Sequence, residues 1–312
     1  MSGSGSMHGE RPGVTMMETL DPDLPAGDGR TSRWQAVTAT ERGAAHRAAG
    51  LPNQDAVEVR PFGGGMVAAV ADGHGHSRHF RSARGARLAV SIACEAAGEL
   101  AGRPDGLPAD PEELRRLLVP EIVTQWRDAV HRDVAAEPFT AAEEAVRRGD
   151  DATIPYGSTL LVAIGTGERL LLAQIGDGDI VCIRPDGTAL LAVPGDPLLD
   201  GRHTTSLCSH GAGDSFRVAT VDLAGTAVLG ALLATDGYGN AQVAQVWESV
   251  VSAELAGPIA TRPLSWMASQ LQAQAGQCAS VDGSADDTTL ALLLAPAAAQ
   301  DGPAAQVPPA GG

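Results

Sequence analysis

Met66-Val67-Ala68-Ala69-Val70-Ala71-Asp72-Gly73-His74-Gly75 is the stretch on which the reading of this chain turns. Six apolar residues in a row predict a strand, and Asp72 stands at its end. Gly73 follows, where the lack of a side chain lets the backbone carbonyl approach an ion. The same arrangement recurs at Asn53-Gln54-Asp55, Ala234-Thr235-Asp236-Gly237 and Asp286-Asp287-Thr288, each with an Asp at the edge of an apolar, strand-like run. Carboxylates delivered from several strand ends to one place repel one another unless cations sit between them. Oxygen-rich sites of this kind suit Mg²⁺ or Mn²⁺. Two such ions a few ångströms apart are an apparatus for hydrolysing phosphate esters.

Outward from this stretch, the apolar pattern supplies the remaining elements. Residues 34–40 alternate and predict a first strand. Residues 56–60 predict another, joined to 66–71 through Pro61-Phe62-Gly63-Gly64-Gly65, a hairpin signal. Residues 82–100 are Ala-rich with apolar positions at helical spacing. Pro111 opens a second helix, as Pro suits a first helical position. Its stripe is Leu114, Leu118, Ile122, Trp126 and Val130. Residues 141–148 predict a short charged helix. Strands follow at 158–164, 169–175 and 180–184, with turns at Gly165-Thr166-Gly167 and Gly176-Asp177-Gly178. Residues 198–215 show little periodicity and read as a long surface loop. Strands return at 216–222 and 227–234, helices at 242–255 and 263–274, and a last strand at 288–294. This succession predicts an α+β fold, an antiparallel sandwich with helices packed outside.

Bulk composition narrows the function. Of 312 residues, 44% are hydrophobic but only 3% aromatic, so the core is built from Val, Leu, Ile and Ala. A net charge of −16 opposes non-specific binding to nucleic acid or to an anionic membrane, both of which need a basic surface. It suits a protein that holds cations. No apolar run approaches the ~20 residues that span a bilayer. Cys94, Cys182, Cys208 and Cys278 form no Cys-x-x-Cys pair, and reduced thiols in a cytoplasm are the simplest account. Residues 1–30 lack the basic and apolar regions of a signal peptide. They and residues 296–312 are rich in Gly, Pro and Ala, and read as disordered tails around one domain at 31–295.

Five motifs, in order, resemble the metal-dependent protein phosphatases of the 2C (PPM) type, bacterial branch. Asp72-Gly73-His74-Gly75 resembles that family's Asp-Gly-His-Gly, and Gly157-Ser158-Thr159 its Gly-Ser-Thr strand. Gly176-Asp177-Gly178 stands where the family has Gly-Asp-Ser. Thr235-Asp236-Gly237 and Asp286-Asp287-Thr288-Thr289 resemble its two late metal motifs. The resemblance runs from about Trp34 to Leu294. It implies a four-layer α-β-β-α sandwich of two antiparallel sheets, with the metals at one end between them. It also implies a cytoplasmic phosphatase that hydrolyses phosphoserine or phosphothreonine in a protein phosphorylated by a Ser/Thr kinase. The attacking group would be a metal-bridging hydroxide, without a phospho-enzyme.

By the same resemblance, Asp72 bridges two Mn²⁺ or Mg²⁺ ions, Gly73 offers its carbonyl, and Asp236 and Asp286 are direct ligands. Asp287 lies behind the ligands, and Asp55 holds metal-bound water indirectly. Asp177 resembles the ligand of a third, weaker ion. Here the chain departs from the family, with Gly176-Asp177-Gly178-Asp179 in place of Gly-Asp-Ser-Arg, and the residues equally suit a hairpin turn. His74 resembles the proposed general acid, a role that suits imidazole because it titrates near neutrality. The phosphate anchor is His46 or Arg47, with Arg42 a further candidate. A guanidinium grips phosphate through two hydrogen bonds, which an imidazole cannot do.

Alternatives fit less well. His74-Gly75-His76-Ser77-Arg78-His79 parallels the His-x-His-x-Asp-His of binuclear zinc hydrolases, but Arg78 occupies the Asp place and cannot ligate a cation. The later His203 and His210 fall in the 198–215 loop. There is no Gly-x-Ser-x-Gly elbow, no phosphate-binding Gly-x-x-x-x-Gly-Lys loop and no Cys-x-x-x-x-x-Arg loop. The rival reading is a catalytically weak module of the same fold that binds phosphoproteins or regulates a partner, motivated by Gly178-Asp179.

Overall fold

Side chains alternate across every strand, and in this chain both faces of both sheets are apolar, so each sheet is packed on two sides. The computed structural model describes residues 33–103, 106–167, 169–197 and 204–296, together with the backbone of residues 13–18. In chain order the first half comprises β1 (Gly13–Glu18), β2 (Gln35–Glu41), α1 (Ala44–Ala49), β3 (Ala56–Phe62), β4 (Gly65–Ala71), α2 (Ser82–Ala101), α3 (Pro111–Ala136) and α4 (Ala141–Arg147). The second comprises β5 (Leu160–Gly165), β6 (Arg169–Ile175), β7 (Asp179–Ile183), β8 (Ala189–Leu190), α5 (Ala212–Ser215), β9 (Arg217–Asp222), β10 (Gly230–Ala234), α6 (Asp236–Gly239), α7 (Trp247–Thr261), α8 (Leu264–Cys278) and β11 (Thr288–Leu294).

One sheet has the order β1-β2-β11-β10-β7-β8 and the other β3-β4-β5-β6-β9, with antiparallel pairing throughout. Along β4, Met66, Ala68 and Val70 face the opposing sheet, while Val67, Ala69 and Ala71 face α2 and α3. Along β11, Ala291 and Leu293 face inward, and Leu290, Leu292 and Leu294 lie under α7 and α8. The result is the expected α-β-β-α sandwich of an α+β fold. Its three apolar layers are built almost wholly of aliphatic side chains, with Trp126 and Tyr156 among the few large rings fully buried.

Local chemistry sets the helix boundaries. Asp110 caps α3, accepting from the Glu113 N–H at 3.2 Å, and Pro111 fills the first turn as expected. Thr140 and Glu143 form a reciprocal capping box at α4. Gly63-Gly64 closes the β3–β4 hairpin, with Gly64 at φ +83°.

The structure corrects several expectations. Residues 13–18, assigned by composition to a tail, pair with β2 as an edge strand. A short edge strand needs few large apolar residues, so composition hides it. Residues 44–49 form α1, and α7 begins at Trp247 rather than 242. The reading of 198–215 as surface loop fails for Thr205, Ser206, Leu207 and Cys208, which are buried, with Leu207 N–H donating to the Ser158 carbonyl at 3.0 Å. His203 and residues 297–312 lie outside the described residues. Gly176-Asp177-Gly178 is not a hairpin turn: β6 belongs to one sheet and β7 to the other, so this turn crosses between them.

Gly85 marks the tightest contact of α2. A Cβ there would sit 1.8 Å from the Tyr156 carbonyl oxygen, whereas one on Gly98 in the same helix would meet nothing within 4 Å. Gly85→Ala is therefore expected to lower unfolding stability by about 1–3 kcal/mol, and Gly98→Ala to raise it by about 0.5–1 kcal/mol. Denaturant unfolding of the two variants checks both signs.

Candidate metal centre and phosphate cleft

A single carboxylate organises one end of the sandwich. Asp287, at the foot of β11, is 3% exposed and accepts three hydrogen bonds. Oδ1 accepts from the Gly43 N–H at 2.7 Å, and Oδ2 from the Gln54 N–H at 2.6 Å and from His46 Nδ1 at 2.6 Å. These bonds join β11 to the start of α1 and to the segment before β3. They also fix the His46 ring, because Nδ1 carries the proton toward Asp287 and Nε2 is left facing the cleft. There Nε2 lies 3.7 Å from Asp286 Oδ1.

The cleft has a volume of about 680 Å³. Asp72, Asp177, Asp236 and Asp286 line it together with His46, His74, Thr204 and Ser206. Asp72 leaves β4 with its N–H held by Thr159 Oγ1 at 3.0 Å, while its carbonyl accepts from the Thr159 N–H at 2.9 Å. Asp236 opens α6, and its Oδ2 accepts from Asn240 Nδ2 at 3.0 Å. Asp286 is about half exposed. Gly73 and Gly237 have no room for a side chain. A Cβ on Gly73 would come 2.6 Å from the Gln54 carbonyl oxygen, and one on Gly237 would come 2.0 Å from that of Asp287.

The charge distribution matches a cation site. Burial first, then the charges of Asp55, Asp236 and Asp286, push the Asp72 carboxyl well above its usual range. The Asp72 carboxylate borders the open cleft yet has protein on its other sides, so cations reach it while bulk water screens it poorly. Asp236 is likewise raised, first by burial, with Asp177 and Asp286 adding repulsion. Its Oδ1 is buried and takes no hydrogen bond. Asp179, at the start of β7, is pushed up to about 7 by burial and by Glu248, Asp177 and Asp236. No three His, Cys, Asp or Glu side chains among the described residues converge on one point as a closed metal cage. Mg²⁺ asks less of a protein, since one or two carboxylates hold an ion that keeps several waters. The four cleft carboxylates, with one buried acceptor unsatisfied at Asp236, suit such ions.

The other expected residues separate into those in the cleft and those outside it. Asp55 does not line the cleft. It is buried beneath it, accepting from Thr235 Oγ1 at 2.9 Å, and burial followed by the Asp287 charge pushes its carboxyl well up. The Arg47 guanidinium is turned away, donating to the backbone carbonyls of Arg42 and Ala279. Arg42 donates to the Leu51 carbonyl at 3.3 Å. Of the three anchor candidates, only His46 faces the cleft.

The opposite wall is the segment after Asp72. The His74 and His79 rings stand edge to face at 4.9 Å, and both press on Gly157, where a Cβ would come 2.5 Å from His79 Nδ1. Burial, reinforced by His79, lowers His74 to about 4, so it is neutral at neutral pH. His79 Nδ1 bonds the Ile154 carbonyl, and His76 caps the short turn that follows by accepting from the Arg78 N–H at 3.3 Å. These contacts account for His76 and His79 without zinc. His210 is exposed.

Sequence reasoning missed Thr204, Ser206, Cys208 and Ser209 as cleft residues, because nothing in their pattern separates them from a solvated loop. It also missed the clamp on the Gly176-Asp177-Gly178 turn. The Gly176 N–H donates to Thr205 Oγ1 at 2.9 Å, the Gly176 carbonyl accepts from Arg217, and Gln174 Nε2 donates to the Gly178 carbonyl.

The family model of protein phosphatase 2C matches residues 42–275, three quarters of the chain, and the chain belongs to that family. Solved structures share the fold at low identity. The serine/threonine phosphatase of S. agalactiae aligns with a TM-score of 0.53 at 16% identity, over 84% of this chain and 99% of that one. PppA, described as a key regulatory component of T6SS in Pseudomonas aeruginosa, aligns at 0.51 and 15%, over 85% and 99%. The catalytic domain of PstP, a serine/threonine protein phosphatase in complex with two manganese ions, aligns at 0.50 and 18%, over 84% and 97%. No curated protein matches the chain by sequence.

Asp287 and Asp286 are adjacent but differ in burial and partners. Asp287→Ala breaks three bonds to a buried charge and is expected to cost more than about 2 kcal/mol of stability. Asp286→Ala, half exposed, is expected to cost under about 1 kcal/mol. Chemical denaturation of both, without added metal, tests the distinction.

Proposed function

We propose that this protein is a divalent-metal-dependent Ser/Thr protein phosphatase. The observation that carries the proposal is Asp236 Oδ1, a buried acceptor without a donor, set among Asp72, Asp177 and Asp286 in one cleft. Asp72, Asp236, Asp286 and the Gly73 carbonyl would hold two Mn²⁺ or Mg²⁺ ions, and Asp177 a third. When bound, such ions supply Lewis acidity toward phosphate oxygens and lower the pKa of water.

The chain's own residues divide the remaining work. His46, its tautomer set by Asp287, points a bare Nε2 into the cleft. That nitrogen grips a phosphoryl oxygen once protonated, or through the shared proton of a monoanionic phosphate. Asp55, buried under the ligands, orients water by accepting its hydrogen bonds. The low pKa of His74 weighs against an imidazolium acid in the free protein. Neutral His74 can offer the leaving Ser or Thr oxygen a hydrogen bond, and a phosphate dianion beside it raises the share of imidazolium, the form that can hand over a proton. The substrate is a phosphorylated protein, a Ser/Thr kinase supplies it, and the cytoplasm is the natural setting for four buried, unpaired cysteines. Among the described residues, no helix is long and apolar enough to cross a membrane.

Phosphate release from a phosphothreonine peptide should require Mn²⁺ and stop in excess EDTA. Turnover that survives the chelator contradicts the proposal. Asp72→Asn should reduce the Mn²⁺-supported rate by at least about a hundredfold. It should also raise the metal-free melting temperature, because one of several crowded charges is removed, and remove most of the Mn²⁺-induced rise.

The anchor assignment has its own test. His46→Ala should weaken inhibition by inorganic phosphate roughly tenfold or more, whereas Arg47→Ala should leave it within about twofold. Equal loss in both variants would place the anchor elsewhere.

A further inference from the structure

The cleft lining mixes charges of opposite sign. Beside Asp72, Asp177, Asp236 and Asp286 it includes Arg78, flanked by His76 and His79. In a chain of net charge −16, whose cationic side chains are all Arg, Arg78 is the guanidinium among the described residues that line this cleft. Most nearby arginines are committed elsewhere. Arg81 is buried against Glu143 and Tyr156, Arg84 pairs with Asp133 and Glu137, and Arg127 donates to the Ser209 carbonyl at 2.7 Å. Arg78 differs. Its side chain is 47% exposed, and it pairs at 2.8 Å with Asp150, itself 44% exposed. A surface pair of this kind contributes little net stability, so an incoming anion displaces Asp150 at small cost.

We propose that Arg78 determines substrate choice by binding a second anionic group, a carboxylate or a further phosphoryl group, on the peptide that carries the scissile phosphate. The inference rests on the reading of the cleft as a phosphoester site, and it adds the class of sequence that enters it. A guanidinium suits the task because its planar fork matches either anion with two parallel bonds. The neighbouring His76 is exposed and adds a polar ring beside it. Arg127, behind Ser209, adds positive potential to the same wall: it and Arg78 both pull the Cys208 thiol downward, against the larger effect of burial. Asp150 and Asp151 are the opposing charges at this rim, and His131 lies near Asp151.

Fluorescence anisotropy on the full chain with Mn²⁺ tests this directly, using non-hydrolysable phosphonate peptides. Three peptides differ at one flanking residue: Asp, phosphoserine or Ala. The wild type should bind the two anionic peptides roughly fivefold to tenfold more tightly than the Ala peptide. Arg78→Ala should bring the ratio near one, and Arg78→Lys should restore part of it. Asp150→Asn, which frees Arg78 from its partner, should increase the ratio above that of the wild type, an effect that damage to the fold would not produce. The Asp and phosphoserine arms show which anion the site prefers. A wild-type ratio of one, a preference for the Ala peptide, or a ratio unchanged in Arg78→Ala overturns the proposal. Hydrolysis of para-nitrophenyl phosphate by the wild type is measured separately. Its absence would count against the phosphatase reading alone, since the anisotropy ratio does not depend on turnover.

Discussion

Mutual repulsion of buried carboxylates is the constraint to which the rest of this molecule answers. Asp55, Asp72 and Asp236 are all driven above their usual ionisation range, first by burial and then by neighbouring carboxylates. A flexible chain would let them drift apart. Here each is fixed near the end of a strand or the start of a helix, and β4 and β10 are locked in register by neighbours on both sides. The aliphatic core between and outside the sheets supplies the stiffness. Positive charge would relieve this repulsion without movement, and the oxygen-rich end of the sandwich suits divalent cations for that reason.

Asp287 shows how closely support and chemistry are joined. Its carboxylate has no place in the cleft, yet it sets the tautomer of His46, holds the segment before Asp55 and anchors α1. Gly237 packs so tightly against the Asp287 carbonyl that no larger residue fits. The late Asp286-Asp287 pair therefore places one carboxylate facing out into the cleft and the next facing in, as successive residues entering a strand must.

Much of this was legible in the sequence, for physical reasons. The strands β4, β5, β6 and β11 are fully buried runs of aliphatic residues, and such runs announce themselves. The acidic motifs were visible because each interrupts a run of that kind. What stayed hidden depends on contacts between distant segments. Which of His46, Arg47 and Arg42 lines the cleft depends on which backbone carbonyls lie near each guanidinium, a matter of tertiary packing. The burial of Thr205 to Cys208 follows from pairing with Ser158, to which their composition gives no clue. The Asp-Gly turn signal at Gly176-Asp177-Gly178 indicated a turn correctly but suggested the wrong partner strand, since a local motif carries no information about which sheet its flanking strands join.

That crossing turn gives Asp177 a property the other cleft carboxylates lack. Asp72 rides on the β3–β4–β5–β6–β9 sheet, and Asp236 and Asp286 border the other. Asp177 sits on the backbone between them, tied by Thr205, Arg217 and Gln174 to the first sheet and the segments beside it, and continuing directly into β7 of the second. Shear of one sheet past the other would bear on these three residues. Asp177 thus acts as a gauge of the alignment of the two halves, and an ion held there would work as a rivet between them.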